Sequence, residues 1–414
     1  MGDPTTPVLN DQAFAILVLM ALFTTFITTP LVTVVYKPAR RVPAYKHRTV
    51  QRKNPESELR ILGCFHSSRS IPTLINLIES SRGTRRRGIT VYAMHLMELS
   101  ERSSAISMVH KARRNGLPFW NKTSDAASDR IVIAFEAYQQ LSHVSIRPMT
   151  AISHLSSIHE DICTSAQQKR AALILLPFHK HQHFDGSMVS LSHAFRHVNL
   201  RVLRQAPCSV GILIDRGLGG TTQIYSSDVS LTAVVLFFGG RDDLEALAYG
   251  CRIAEHPGMQ VSVVRFVARA GTSLMGGSGE SVAVGMEANE SAGDDECVAE
   301  LRSKINASSS SMTLEEKVVE STEEVVEAVK SMNRCNLFLV GRMPPVASLA
   351  RERTDCPELG PVGCLLASAE ISTTASVLVL QQYDPAANVS PLMEEVAEMQ
   401  EEMPDTPARA VTND

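Results

Sequence analysis

The amino-acid sequence predicts an α/β protein with one N-terminal transmembrane helix followed by two tandem, doubly wound parallel-sheet domains. An uncharged apolar run over residues 13–36 indicates the transmembrane helix. Short, almost continuously apolar runs such as AALILLP, TAVVLFF and NLFLVG are typical of strands in a parallel sheet that is covered on both faces. These runs alternate with helical stretches in the same order twice, which indicates an internal repeat of about 170 residues.

The apolar run AFAILVLMALFTTFITTPLVTVVY is long enough to cross a membrane. At about 1.5 Å per residue a helix of this length reaches roughly 36 Å, whereas a hydrocarbon core is roughly 30 Å thick. The preceding segment, residues 1–12, has no basic residue, which argues against a secretory signal. Residues 37–57 form a basic juxtamembrane linker, which predicts a single-pass membrane protein with a cytosolic C-terminus. A buried helix of a soluble protein is the alternative interpretation.

The first cytosolic domain is predicted over residues 58–216. Its strands follow from β-branched apolar runs, and its helices from the stretches between them. We expect strands at 59–65, 89–96, 144–153, 171–179 and 208–215, and helices at 71–81, 101–115, 129–141, 157–169 and 189–205.

The second cytosolic domain is predicted over residues 228–383 and repeats this order. We expect strands at 231–239, 261–268, 313–320, 336–341 and 376–381, and helices at 242–256, 295–304, 322–332 and 361–369. Residues 271–295 are rich in glycine, serine and acidic residues without apolar periodicity, so they predict a disordered insertion. Residues 384–414 predict an acidic, disordered tail.

Composition excludes several classes of function. The net charge of −4 comes without a basic face interleaved with aromatic residues, so no nucleic-acid partner is expected. The eight cysteines form no CxxC pair, and in a cytosolic segment they are interpreted as reduced thiols. We find no nucleophile elbow, no HExxH motif and no framed pair of acids, so the sequence predicts neither an enzyme nor a cofactor.

Three glycines in the second domain are the candidates for nucleotide binding. Gly341 follows the strand LFLVG, and Gly360 and Gly363 lie in ELGPVG at the start of the last predicted helix. Backbone amides at such a helix start can hold a phosphate. Neither a Walker A motif nor GxGxxG is present, and turns and helix caps that require glycine are the alternative interpretation.

Histidines cluster in FHKHQH. In an extended segment His179, His181 and His183 point to the same side, where they could ligate a metal ion. No cysteine or carboxylate pair stands nearby at ligand spacing. Because histidine titrates near physiological pH, a pH-sensitive surface is the second interpretation of this cluster.

Several long motifs resemble one protein family in the order in which they occur. VLNDQAFAILVLMALFTTFITTPLV resembles its last membrane helix, and VYKPAR the exit to the cytosol. The cytosolic motifs are RPMTAIS, HEDIC, LPFHKHQHFDG, APCSVGILIDRG, ELGPVG and STTASVLVLQQYDP. With these motifs the chain resembles the carboxyl-terminal half of the plant CHX family of cation/proton exchangers, within the monovalent cation:proton antiporter superfamily.

The resemblance implies a K⁺ or Na⁺ for H⁺ antiporter of plant endomembranes or plasma membrane, active in cation and pH homeostasis. It also implies that each cytosolic domain has a universal-stress-protein-like fold, a fold that often binds ATP. Here Gly341-Arg342-Met343-Pro344 departs from the glycine pattern that such binding uses. An antiporter of this kind needs about a dozen spans and ionisable residues within the membrane.

We therefore expect this chain to be a regulatory portion without the transport core, so that no residue in it carries the ion or proton. Its expected partners are the membrane and the transmembrane core of an antiporter or a full-length homologue, with which it would form a dimer. The alternative is a membrane-tethered, stress-protein-like sensor that binds a nucleotide or responds to pH.

Overall fold

The computed structural model describes residues 11–35, 48–51, 58–83, 88–99, 135–140, 142, 144–182, 188–190, 193–218, 231–268, 284–307, 311–332, 335–343, 356–368, 371 and 373–385. The chain divides into two compact units, Met1–Lys46 and His47–Asp414. Predicted features that lie outside the described residues are most of the segments 1–12 and 37–57, the helix at 101–115, His183, the first part of the insertion and the tail after residue 385.

The first unit contains helix α1, Asp11–Val35. Side chains from residue 12 to residue 28 are exposed, and the large apolar ones are among them, with Phe26 at 79%. Thr24 Oγ1 donates to the carbonyl oxygen of Met20 at 2.9 Å, so a polar side chain is satisfied within the helix itself. Among the described residues, no helix combines the length and apolarity that crossing a membrane requires. The predicted helix is confirmed, and its insertion into a membrane stays a prediction.

The second unit is an α/β structure with two halves of the same element order. The strands of the first half are β1 (Leu59–Phe65), β2 (Ile89–Glu98), β3 (Ser145–Ser153), β4 (Leu173–Pro177), the short pair β5 (Lys180–Gln182) and β6 (Met188–Ser190), and β7 (Ser209–Ile214). Its helices are α2 (Ile71–Ser80), α3 (Ile158–Lys169) and α4 (His193–Gln205), and residues 135–140 are also helical.

The second half follows the same alternation. Its strands are β8 (Leu231–Phe237), β9 (Met259–Ala268), β10 (Met312–Val319), β11 (Leu337–Gly341) and β12 (Ser376–Gln381). Its helices are α5 (Arg241–Ile253), α6 (Val284–Ala307), α7 (Thr322–Ser331) and α8 (Gly360–Ala367). At the start of α7, the Ser321 hydroxyl accepts the amide of Glu324 at 3.3 Å, which caps the helix as a Ser-x-x-Glu sequence predicts.

One ten-stranded sheet runs through both halves, in the order β10-β9-β8-β11-β12-β7-β4-β1-β2-β3. Within each half all neighbouring strands are parallel, and the switch in strand order lies beside the first strand of that half. The central pair β12–β7 is antiparallel, with Leu378 opposite Leu213. The parallel α/β prediction is confirmed, whereas the joining of the two halves into one sheet was not predicted from the sequence. Edge pairing removes an unpaired edge strand from each half, which otherwise invites aggregation.

The two faces of the central strands carry different helices. Leu378 and Leu380 of β12 belong to a continuous apolar core that includes α2 residues such as Leu77 and α5 residues such as Tyr249. On the opposite face, Gly363 of α8 packs closely on Val379. Helices of both halves therefore meet across the β7–β12 pair.

The structure corrects the prediction of disorder over residues 271–295 in its second part. Helix α6 begins at Val284 and runs through Asp294 to Ala307. Asp294 is buried and accepts the amide of Gly240 at 2.8 Å, and Val298 and Leu301 add apolar burial. Alanine and glutamate favour a helix, and these tertiary contacts offset the weak amphipathic pattern that the sequence shows.

Candidate functional site

Buried and half-buried charged residues connect the two halves on both faces of the central β7–β12 pair. We call this set the seam. It comprises His179, Arg196 and Glu358 on the face of α8, and Glu79, Arg82 and His256 on the face of α2 and α5. Buried ionisable groups are costly unless they are paired, so such a set needs a structural or functional reason.

His179 is placed by the end of β4. The apolar run LILLP ends at Pro177, and the amide of Phe178 then donates to the carbonyl oxygen of Leu213 in β7 at 2.9 Å. This bond holds the chain against the sheet for one more residue, so His179 follows a buried phenylalanine and is itself only 1% exposed. The Phe178 ring meets the imidazole edge-on, with 4.5 Å between ring centroids.

Glu358 is placed by a turn before α8 and is fully buried. The amide of Leu359 donates to the carbonyl oxygen of Cys356 at 2.9 Å, which closes the turn. Arg342 clamps the turn, because its guanidinium donates to the carbonyl oxygens of Glu358 at 3.2 Å and Pro357 at 2.8 Å. Burial lowers the pKa of Arg342.

The two loops meet at their acidic and basic side chains. Nδ1 of His179 contacts Oε1 of Glu358, and Nε of Arg196 lies 3.8 Å from Oε2 of the same carboxylate. Among the described residues the carboxylate thus has one buried and one half-buried basic partner, both from the other half. One residue of each motif is involved, because His179 belongs to FHKHQH and Glu358 to ELGPVG.

On the face of α2 and α5, a second buried carboxylate lies close to a histidine and an arginine. Nε2 of His256 lies 3.6 Å from Oε1 of Glu79, and Arg82 Nη1 lies 3.0 Å from the same oxygen. The Tyr138 hydroxyl donates to Oε2 of Glu79 at 2.5 Å. Burial raises the pKa of Glu79, but the hydrogen bonds from His256 and Tyr138 and the Arg82 charge outweigh it and leave the pKa below its usual value.

A hydroxyl pair strengthens this second contact between the halves. Ser81 and Tyr249 share a buried hydrogen bond of 2.5 Å, and Arg252 Nε donates to the carbonyl oxygen of Ser81 at 2.7 Å. Burial raises the pKa of Tyr249 to about 12, so its hydroxyl stays protonated at physiological pH. On the face of α2 and α5, this uncharged hydroxyl pair thus joins the halves beside the Glu79–His256 contact of the seam.

The glycines predicted to bind phosphate lie at close backbone contacts. Gly341 ends β11, and its amide donates to Oδ1 of Asp243 at 2.8 Å. Oδ2 of Asp243 accepts the amides of Phe238 and Gly239 at 2.6 and 3.0 Å. A phosphate held by Gly341 would have to displace this carboxylate. Burial of Asp243 raises its pKa to about 8, although the amides oppose the shift.

Gly360 and Gly363 serve the geometry of the turn and helix α8. Gly360 has φ +66°, and a Cβ there would collide with the carbonyl oxygen of Arg342. A Cβ on Gly363 would lie 2.8 Å from a methyl group of Val379. Phosphate binding by the three glycines stays a prediction, and the described contacts supply a structural reason for each of them.

The remaining histidine candidates do not join the buried pair. His181 is half-buried in β5, opposite Val189 of β6, and His183 is outside the described residues. In the described part of the chain no group of three or more histidine, cysteine, aspartate or glutamate side chains is arranged to hold a metal ion. Sequence reasoning missed Glu358, Arg196, Glu79 and His256, because their partners are distant in the chain and only the fold brings them together.

His66 fills the carboxyl end of β1 in the first half. Its ring packs on Phe195 of α4 with 3.6 Å between centroids, and neither ring nitrogen has a hydrogen-bond partner among the described residues. Burial lowers the pKa of His66 to about 3, and the neighbouring His95 adds to the shift. Folding therefore favours the neutral imidazole.

We expect the stability of the protein to fall as the pH drops from 7 towards 5, and His66→Phe to reduce this loss. The unfolded chain takes up a proton near pH 6.5 while the folded chain does not, so acid favours unfolding by up to about 1.4 kcal/mol per pH unit. Urea unfolding followed by circular dichroism at pH 7, 6 and 5 measures this. Exposed His154→Gln is the control, and equal pH slopes for wild type and His66→Phe would contradict the expectation.

Comparison with known proteins matches two regions of the chain to family models. Residues 91–218 match a family described as "Plant cation/H(+) antiporter domain" and residues 230–381 one described as "Plant cation/H(+) antiporter, C-terminal domain". Cation/H(+) antiporter 19 of Arabidopsis thaliana is 64% identical over 392 residues, covering 94% of this chain and 48% of the relative. Cation/H(+) antiporter 18 of the same plant is 56% identical over 394 residues, covering 91% and 48%.

The chain spans about half the length of the curated relatives it matches. Among solved structures it is similar to a universal stress protein from Archaeoglobus fulgidus, with a TM-score of 0.43 and 12% identity. That match covers 77% of this chain and 97% of the other. The similarity is too low to support any argument about function.

Proposed function

Because the chain belongs to the plant cation/H(+) antiporter family and matches the carboxyl-terminal part of its members, we propose that it is a regulatory portion of a K⁺ or Na⁺:proton antiporter. In this proposal it takes part in cation and pH homeostasis by acting on a transport core. The transported ions, the endomembrane or plasma-membrane location and a dimer with a full-length homologue belong to the same proposal.

Helix α1 is proposed as a membrane helix, with the His47–Asp414 unit on the cytosolic side. Support comes from the exposed apolar side chains of α1 and from the basic residues between positions 37 and 57 of the sequence. Protease protection in membrane vesicles tests this arrangement. Cleavage of the His47–Asp414 unit from the lumenal side would contradict it.

The observation that carries a regulatory role is the buried His179–Glu358 pair between the two halves. Histidine is the side chain that most readily changes charge near neutral pH. His179 forms an ion pair with Glu358 only when its imidazole is protonated, and this contact holds two loops together. The charged groups around the pair are Arg196, which contacts the carboxylate, Arg342 behind the turn and Lys180 next to His179.

We expect His179→Asn to change how cation transport depends on pH. The maximal transport rate should change less. Residues 1–414 replace the matching half of Cation/H(+) antiporter 19, and the chimera is expressed in yeast that lacks its own potassium and sodium exchangers. Growth is measured across pH and alkali-cation concentration. Asparagine keeps a polar side chain but does not titrate, so a flatter pH profile is expected.

Two controls make this result decisive. His197→Asn changes an exposed histidine on the same helix α4 as Arg196 and should leave the profile as it is. An unchanged profile in the His179→Asn chimera would contradict a pH-sensing seam. Residues 1–414 expressed alone should not restore growth, and rescue by them alone would contradict a purely regulatory role.

A further inference from the structure

Two cysteines lie against each other beside the seam. Cys356 begins the turn that carries Glu358, and Cys364 lies in α8, the helix that follows this turn. The Cys364 thiol donates to the carbonyl oxygen of Cys356 at 2.9 Å, so the two residues are in contact. A disulfide requires the two sulfurs to approach to about 2.05 Å. To form it, the Cys364 side chain must turn from this carbonyl oxygen towards the Cys356 sulfur.

The surroundings of the two sulfurs make them chemically unequal. The neighbouring Cys364 thiol lowers the pKa of Cys356 although burial opposes it, and the Lys180 ammonium, 3.5 Å from the Cys356 sulfur, lowers it further. The pKa of Cys364 is raised by the neighbouring Cys356 side chain and by burial. A thiolate is the nucleophile in thiol chemistry, so Cys356 is the attacking sulfur and Cys364 the resolving one.

Other cysteines of the chain lack this arrangement. Burial raises the pKa of Cys64 above its usual value, that of Cys163 to about 12 and that of Cys335 to about 12. Buried thiols without a neighbouring cationic group are chemically inert. Cys356 and Cys364 are themselves buried, and what sets them apart from these thiols is their contact with each other and with the Lys180 ammonium.

We propose that Cys356 and Cys364 are a thiol–disulfide modification site that reacts with a peroxide. The Cys356 thiolate attacks one peroxide oxygen, the O–O bond breaks and hydroxide leaves, so the sulfur becomes a sulfenic acid. The Cys364 thiol then attacks that sulfur, the S–O bond breaks, and the hydroxyl group leaves as water with the thiol proton. Peroxide is reduced and the two thiols are oxidised to a disulfide, which a dithiol can reduce again.

The modification site stands independently of the transport proposal, whereas its consequence rests on it. A disulfide between Cys356 and Cys364 closes a ring around the turn that presents Glu358 to His179. Oxidation would therefore restrict the movement of the turn that carries Glu358, on the α8 face of the seam. In a reducing compartment such disulfides are transient and redox-sensing.

Hydrogen peroxide and peptide mass spectrometry test the site on the full chain. After graded exposure, free thiols are blocked with an alkylating agent and the protein is cleaved after glutamate, which cuts at Glu358 between the two cysteines. We expect a peptide pair linked through Cys356 and Cys364 at peroxide doses that leave Cys64 and Cys335 alkylated. Both peptides alkylated separately at those doses would overturn the proposal.

Four variants separate the roles of the residues. Cys364→Ser should let dimedone trap a sulfenic acid at Cys356, and Cys356→Ser should leave Cys364 alkylated. Lys180→Met should slow oxidation about threefold or more by raising the pKa of Cys356, while Lys180→Arg keeps the rate close to wild type. First oxidation at Cys364, or equal rates for both Lys180 variants, would contradict the assigned roles.

A normal pH response with an intact disulfide would contradict only the transport proposal.

Discussion

Replacing Glu358 by alanine is expected to lower the free energy of unfolding of the His47–Asp414 unit by about 3–5 kcal/mol, the range for breaking one side of a buried ion pair. Glu358 is fully buried, and its carboxylate contacts His179 and lies 3.8 Å from Arg196. Removing it leaves a buried imidazole without its acidic partner and a cavity between two loops. Urea unfolding of the full chain, followed by circular dichroism, measures the change.

An exposed ion pair supplies the matched control for this prediction. Lys304 and Glu300 are 2.7 Å apart on the surface of α6, with 68% and 63% of their side chains exposed. Exposed pairs of this kind contribute about 0.3–0.5 kcal/mol, so Glu300→Ala should be nearly neutral. A cost for Glu358→Ala as small as that for Glu300→Ala would show that the seam does not hold the halves together.

A double-mutant cycle then tells whether His179 and Glu358 act as a pair. If they do, His179→Ala lowers the free energy of unfolding less in the Glu358→Ala background than in the wild type. The difference is a coupling energy of about 0.5–3 kcal/mol. Additive effects would mean that each residue contributes through its own packing. Because His179 and Glu358 come from different halves, coupling would also establish that the seam links them energetically.

Gly360→Ala is expected to be the most damaging glycine substitution, with a loss of roughly 3 kcal/mol or more from strain and steric overlap together. Gly360 has φ +66°, which costs an alanine conformational strain, and the added Cβ would collide with the carbonyl oxygen of Arg342. The backbone would have to move, and with it the turn that holds Glu358. The same urea titration measures the loss.

Gly217→Ala separates the conformational strain of a positive φ from the steric overlap of an added Cβ. Gly217 has φ +80°, but nothing lies within 4 Å of the position of its Cβ. It should therefore show the strain alone, about 1–2 kcal/mol. Equal losses at both positions would contradict the close approach of Gly360 to Arg342 and place the whole effect in the backbone conformation.

Strand positions were predicted well wherever the side chains themselves carried the signal. The run LILLP is apolar at nearly every position because β4 is covered on both faces, and SVLVLQ of β12 shows the same property. Helix α6 was missed over its first part, because glycine, serine and acidic residues from position 284 onward give no apolar period. Its stability draws on tertiary contacts such as the one between Asp294 and Gly240.

In the candidate site, too, the sequence identified some residues, and only the structure showed which of them are in contact. The sequence singled out His179 and the glycines of ELGPVG separately, since each stands in an unusual local pattern. It offered no reason to pair them, and it offered no sign of Glu79 and His256. A buried acid and its basic partner have no characteristic spacing in a sequence, because the contact depends on how two halves pack and not on the local backbone.

The sequence by itself determined the α/β class, the repeated order of strands and helices, the apolar helix and the family resemblance, because hydrophobic period and local motifs are properties of neighbouring residues. Only the tertiary structure decided that the two halves share one sheet through the antiparallel β7–β12 pair. That pairing brings His179 to Glu358 and His256 to Glu79. Such contacts arise when distant segments exclude water together, and no local pattern of residues encodes that event.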